Sequence, residues 1–218
     1  MAARGRPRAF DRDAALNAAM ELFWRKGFCA TSVADLCAAM GINAPSLYAA
    51  FGSKEALYEA ALHHYGQAAT PHIWGRFAAA PTARDSIAVL LMASAANLPG
   101  TDHPAGCMVT LSTAGQEGGA RLAALVMQAR AEGGAMIAER LRRARAEGEL
   151  PPGTDVAAVA AFYACVQHGM SIEARDGADR EKLEAIARCA LAAWPALTDA
   201  GAHPPAEQAC TPLDPRGT

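Results

Sequence analysis

The first twelve residues hold Arg4, Arg6, Arg8 and Arg12 against Asp11 alone, a cationic arm on a 218-residue chain whose formal net charge is −2. The rest of the chain is therefore acidic. In Arg4-Gly5-Arg6-Pro7-Arg8 the proline holds the backbone extended and the glycine allows close approach to a surface. Guanidinium groups presented this way suit the narrow, electronegative minor groove of A·T-rich DNA, with a solvated tail as the plainer alternative. A second group with chemistry is Cys107, preceded by Pro104-Ala105-Gly106 and by His103. This spacing predicts the first turn of a helix, where the dipole stabilises a thiolate. Three roles stay open for Cys107: a small packing side chain, a thiol that senses electrophiles or oxidants, or one ligand of copper or zinc shared with His103. Two ligands seldom complete a metal site. No G-x-S-x-G, P-loop, H-E-x-x-H or dinucleotide fingerprint occurs, so a helical enzyme is the weaker class and no cofactor or metal is expected.

The elements that must position these groups are helical. Ala is abundant, β-branched and aromatic residues are sparse, and no strand alternation of useful length is present, which predicts an all-α fold. Asp11 caps a first helix with Leu16, Ala19, Met20 and Phe23 on one face, stopped by Gly27, with Phe28 folding back. Ser32 and Asp35 form a capping signal for a short helix that ends near Met40 and is broken by Gly41. Asn43 caps a third helix with Pro45 in its first turn, Gly52 ends it, and Ser53 caps a fourth. Two short helices joined by a tight glycine turn, the second opening on small polar residues, make a helix-turn-helix within a three-helix head.

The run Gly27-Phe28, Thr31-Ser32-Val33, Leu36 to Ile42 and Ser46-Leu47-Tyr48-Ala49-Ala50-Phe51-Gly52-Ser53-Lys54-Glu55-Ala56-Leu57 closely resembles the DNA-binding domain of TetR/AcrR-family transcriptional regulators. The resemblance covers about residues 10–65. It implies that Ser46 and Tyr48 of the recognition helix contact DNA, Tyr48 through its hydroxyl to a phosphate. It also implies phosphate contacts from Lys54 and from Thr31 or Ser32. Asn43, Ala44, Pro45 and Ala49 complete the expected reading edge. Ala44, Ala49 and Ala50 offer only apolar contact to thymine methyls, so specificity is expected to lean on Arg4, Arg6 and Arg8 and on DNA shape.

Beyond the head, helices are expected over 53–69, 82–98, 105–116, 119–146, 155–175 and 179–193, with a disordered tail from 196 to 218. The corresponding organisation is an arm (1–9), a DNA-binding domain (10–55) and a helical effector-binding and dimerisation body (56–195). Residues 156–172 are apolar nearly all round, which an exposed monomer helix does not tolerate. Together with Leu183, Ile186, Ala187, Ala190 and Leu191 they are expected to form a four-helix homodimer bundle, as the resembled family does. The family likeness further implies a small-molecule effector that releases the protein from a palindromic double-stranded operator. Expected pocket residues are Trp74, Phe77, Met92, Cys107, Met108, Leu111, Met127, Phe162 and Tyr163, with Gln116, Gln167 and His168 as polar anchors. That inventory favours an uncharged or weakly polar, hydrophobic ligand. Six scattered cysteines, the absence of an apolar leader after Met1 and the lack of a membrane-length apolar stretch predict a cytoplasmic protein with reduced thiols.

Overall fold

Side-chain caps start most of the helices. In the computed structural model, residues 11–199 are described, apart from the side chains of 69–72 and 117. Helix α1 (Arg12–Lys26) begins at Asp11, whose carboxylate accepts the N–H groups of Asp13 and Ala14 at 3.1 and 3.0 Å. Helix α2 (Val33–Met40) begins on a reciprocal capping box. Asp35 N–H donates to Ser32 Oγ at 3.0 Å, and Ser32 N–H donates to Asp35 Oδ2 at 3.1 Å. Helix α3 (Ala44–Phe51) begins where Asn43 Oδ1 accepts the Ser46 N–H, and α4 (Lys54–Ala79) where Ser53 Oγ accepts the Ala56 N–H. Gly41, at φ +67°, closes α2 in the left-handed conformation that glycine adopts without a steric penalty. Gly27 ends α1 with positive φ but an extended ψ of 173°, and Phe28 turns back to stack on Phe23.

The body consists of α5 (Ala83–Asn97), a short α6 (Ala114–Glu117), α7 (Gly119–Ala146), α8 (Val156–Arg175), α9 (Arg180–Ala192) and a short α10 (Trp194–Thr198). No strand occurs among the described residues. Two apolar cores result. The first joins α1, α2, α3 and the start of α4 to Met108, Ala114, Leu122 and Val126; the second joins the end of α4 with α5, α7, α8 and α9. The boundary expected at residue 55 thus falls at the start of one helix that serves both cores. A buried Arg140 ties the second core together, its Nε donating to Ser86 Oγ at 3.0 Å and its Nη groups to Glu149 at 3.3 Å.

Three expectations need correction. The fourth helix does not stop near residue 69 but runs past Pro71 to Ala79. Its first half packs in the head core and Phe77 in the body core, so tertiary contacts outweigh the missing proline N–H. Residues 105–113 are turns rather than helix. Gly106 sits at φ +80°, where a helix could not be continued and any side chain would run into Leu111 and Ser171. The backbone there is satisfied from outside: Ser171 Oγ accepts the Cys107 N–H at 2.7 Å, and Arg130 donates to the carbonyls of Val109, Thr110 and Ser112. Finally, residues 196–199 belong to the fold, because Trp194 packs beside Tyr163 and the Thr154 hydroxyl donates to Thr198 O at 2.8 Å. The arm, with Arg4, Arg6 and Arg8, and residues 200–218 lie outside the described residues.

Candidate nucleic-acid interface and effector cavity

Helix α3 is held from behind and open in front. Leu47 and Phe51 are buried in the head core, whereas Pro45, Ser46, Tyr48 and Ala49 are exposed and Ala44 is half-buried. Tyr48 is 48% exposed, a large aromatic residue left at the surface of α3. Asn43 is exposed and its carboxamide oxygen is committed to the cap. Ser32 is exposed at the start of α2; its hydroxyl accepts the Asp35 N–H and lies beside the Asp35 carboxylate. The helix start supplies free N–H groups and positive dipole toward the same side. Asp35 stays ionised well below the usual carboxylate range, first through the Ser32 N–H, then the Ser32 hydroxyl, with Lys26 3.5 Å away.

Of the expected phosphate contacts, Thr31 is withdrawn from the surface and Lys54 is seated on a ring. Thr31 is fully buried, with its hydroxyl donating to Gly27 O at 2.6 Å, so it clasps the α1–α2 turn and offers no group to a ligand. Lys54 lies at the start of α4 with its ammonium 4.3 Å from the centre of the Phe28 ring, a cation–π seat that fixes the charge at the head surface. Arg12, which the motif reading left out, sits similarly 4.9 Å over Phe51 at the end of α3.

A half-open cavity of about 1050 Å³, at the upper end of the range for small-molecule sites, lies between α1 and the body. Six elements wall it: α1 through Met20 and Trp24, α4 through Tyr65 and Trp74, α5 through Leu90, the 98–113 loop through His103 and Cys107, α7 through Arg130 and Ile137, and α8 through Gln167 and His168. Burial drives the His168 pKa down, and the neighbouring Arg130 charge adds to the effect, so the imidazole is held neutral. Burial also drives the Tyr65 phenol up, with Cys107 beside it, so it is present only as the neutral hydroxyl.

Of the twelve expected pocket residues, Trp74, Cys107, Gln167 and His168 line this cavity. Phe77 and Tyr163 are sealed in the body core; the Tyr163 hydroxyl donates to Ala190 O at 3.2 Å, and burial pushes its pKa to about 12. Met92 and Phe162 pack half-buried against that core. Met108 and Leu111 face a separate crevice of about 220 Å³ next to Gly27. Gln116 is exposed, and Met127 is 69% exposed on the outer side of α7. Cys107 reaches the wall from a turn, so the helix start that was to activate its thiol does not exist. No cluster of three metal-ligating side chains occurs among the described residues. Trp24, Tyr65 and Arg130 escaped the sequence reading. Trp24 follows the α1 core residues in register and reads as one more of them; nothing local marks Arg130 as the clasp of a loop.

The comparisons agree with this geometry. Residues 15–61 match the family model described as bacterial regulatory proteins, tetR family. The HTH-type transcriptional repressor ComR of Escherichia coli (strain K12) is 41% identical over 196 residues, covering 89% of this chain and 93% of that protein. BdcR, another HTH-type transcriptional repressor of the same strain, is 54% identical over 61 residues, 28% of this chain and 31% of its own. A solved structure of a cysteine mutant of the TetR-family regulator CifR, complexed with 26-bp double-strand operator DNA, superposes with a TM-score of 0.83. It is 42% identical, over 87% of this chain and 100% of that one. A buried-back, open-front α3 in the right register, joined to likeness over nearly the whole length, places the chain in the TetR family of bacterial regulatory proteins, as a DNA-binding transcriptional regulator.

Proposed function

We propose that the protein is a cytoplasmic repressor that binds a palindromic duplex as a two-fold dimer and releases it when a small, mainly apolar molecule fills the body cavity. The observation that carries the reading is the pairing of an outward α3 edge with a cavity that shares a helix, α1, with the head. The proposed duplex contacts are Ser32, Asn43, Ala44, Pro45, Ser46, Tyr48, Ala49 and Lys54, joined by Arg4, Arg6 and Arg8 of the arm. The α9 residues expected in a dimer bundle are instead used within the protomer, Leu183, Ala187 and Ala190 being buried in the body core with Ile186 and Leu191 packed against it. A second copy is the proposed cover for the opposite, outer face of α8 and α9. Ala158, Ala161, Cys165, Gly169 and Ile172 are exposed along α8, and Ala185, Cys189 and Ala192 along α9. Ile172 alone is 52% exposed, and a continuous small apolar surface of this kind favours close helix packing. The duplex in the CifR complex has 26 base pairs, about two and a half turns, which leaves room for two recognition helices one turn apart.

Selecting bound duplexes from a random library tests the reading. A recovered motif with two-fold symmetry, bound by two protomers and outcompeting random duplex, is expected. Recovery of unenriched sequence would instead point to a non-specific architectural DNA protein.

A further inference from the structure

We propose that Trp24 is the residue through which the body cavity and the DNA-reading head communicate, with Arg175 as the positioning residue that fixes its backbone. The proposal rests on the regulator reading above and assigns it a route. Trp24 belongs to the last turn of α1, a helix of the head, yet its indole forms part of the cavity wall. Three separate pieces of the body converge on it. Arg175, the last residue of α8, donates from Nη2 to Trp24 O at 3.0 Å and from Nη1 to Arg25 O at 3.5 Å. The His103 ring, from the 98–113 loop, stacks on the indole at 5.0 Å with 15° between planes. Tyr65, from α4, meets it edge-on at 5.0 Å and 75°.

The chemistry of the contact suits a relay. A guanidinium on the carbonyl end of α1 meets the negative end of that helix's dipole, so the grip is charge-assisted as well as directional. The indole N–H is buried and has no protein acceptor among the described residues, so packing alone sets the ring's orientation. The backbone is therefore pinned to α8 while the side chain is set by whatever shares the cavity. Phe23, immediately before Trp24, packs in the same core as Leu36 of α2 and Leu47 of α3. A shift of the last turn of α1 therefore reaches the recognition helix through close-packed side chains rather than through a loop.

The test uses the full chain labelled with 5-fluorotryptophan, whose three reporters are Trp24, Trp74 and Trp194. Their fluorine resonances are assigned with Trp74→Phe and Trp194→Phe, and the protein is titrated with the selected duplex. At saturation the Trp24 resonance is expected at a new position while that of Trp194, in the body core, stays put. In Arg175→Gln the protein melts at a lower temperature but stays folded and the duplex still binds, while the Trp24 resonance no longer moves. Arg175→Lys, which keeps a charged donor, restores part of the movement. A wild-type complex in which Trp24 is unmoved overturns the proposal, as does an Arg175→Gln protein in which Trp24 moves as in wild type. A chain that forms no complex with any duplex refutes the regulator reading instead, and this proposal with it.

Discussion

Tyr48 is an exposed aromatic side chain on the recognition helix, α3. It stands exposed between buried Leu47 and a run of alanines. Tyr48→Phe removes the proposed donor to a phosphate and nothing from the core. Charge-assisted hydrogen bonds contribute about 1.5–3 kcal/mol, so duplex affinity should fall roughly tenfold or more. The melting temperature should stay unchanged, and fluorescence anisotropy beside a thermal melt checks both. His168 has a different signature. Its pKa in the folded protein lies below the ordinary 6.5, so beneath that pH the unfolded chain takes up a proton that the folded chain resists. Stability should therefore fall as pH drops below about 6.5 and be fully retained above it. Replacing His168 with Gln should shrink the loss of melting temperature between about pH 7.5 and about pH 5.5; an unchanged slope would dissociate His168 from the effect.

Among the elements, the N-terminal helices were legible because everything that starts and stops them is local. Asp11, Ser32, Asn43 and Ser53 cap α1 to α4 within three residues of the groups they satisfy, and Thr82, Asp155 and Asp179 do the same for α5, α8 and α9. The 98–113 loop was illegible for the opposite reason. Its backbone partners, Ser171 and Arg130, are distant in sequence, so Pro104-Ala105-Gly106 before Cys107 suggested a helix start that only the folded context forbids. The pocket was partly legible: Trp74, Gln167 and His168 are on its wall, but core and wall residues share one composition, and burial decides between them only in three dimensions. Gly106 tests the loop. At φ +80° with Leu111 and the Ser171 carbonyl where a side chain would point, alanine there should destabilise by at least about 1–2 kcal/mol. An engineered Gly134→Ala, at a helical position with open space, should stabilise slightly and serves as the control. Chemical denaturation of both variants reads the difference.

The whole molecule combines a cationic arm, an acidic remainder and a reading edge poor in groups for base recognition. Such a head depends on backbone contacts and groove shape for much of its affinity. Deleting residues 1–8 should weaken duplex binding and flatten the plot of log affinity against log salt by about 0.9 for each phosphate that the arm neutralises. An unchanged slope would exclude the arm from the complex. Symmetry is the remaining feature at this scale, since two heads joined through α8 and α9, as proposed, would occupy successive major grooves roughly 34–36 Å apart. Hydroxyl-radical footprinting of the selected duplex reads that geometry directly. Two protected patches on one side of the helix, one turn apart and both erased by Ser46→Ala combined with Tyr48→Phe, are the predicted result. A single patch, or protection indifferent to the α3 edge, would contradict the account.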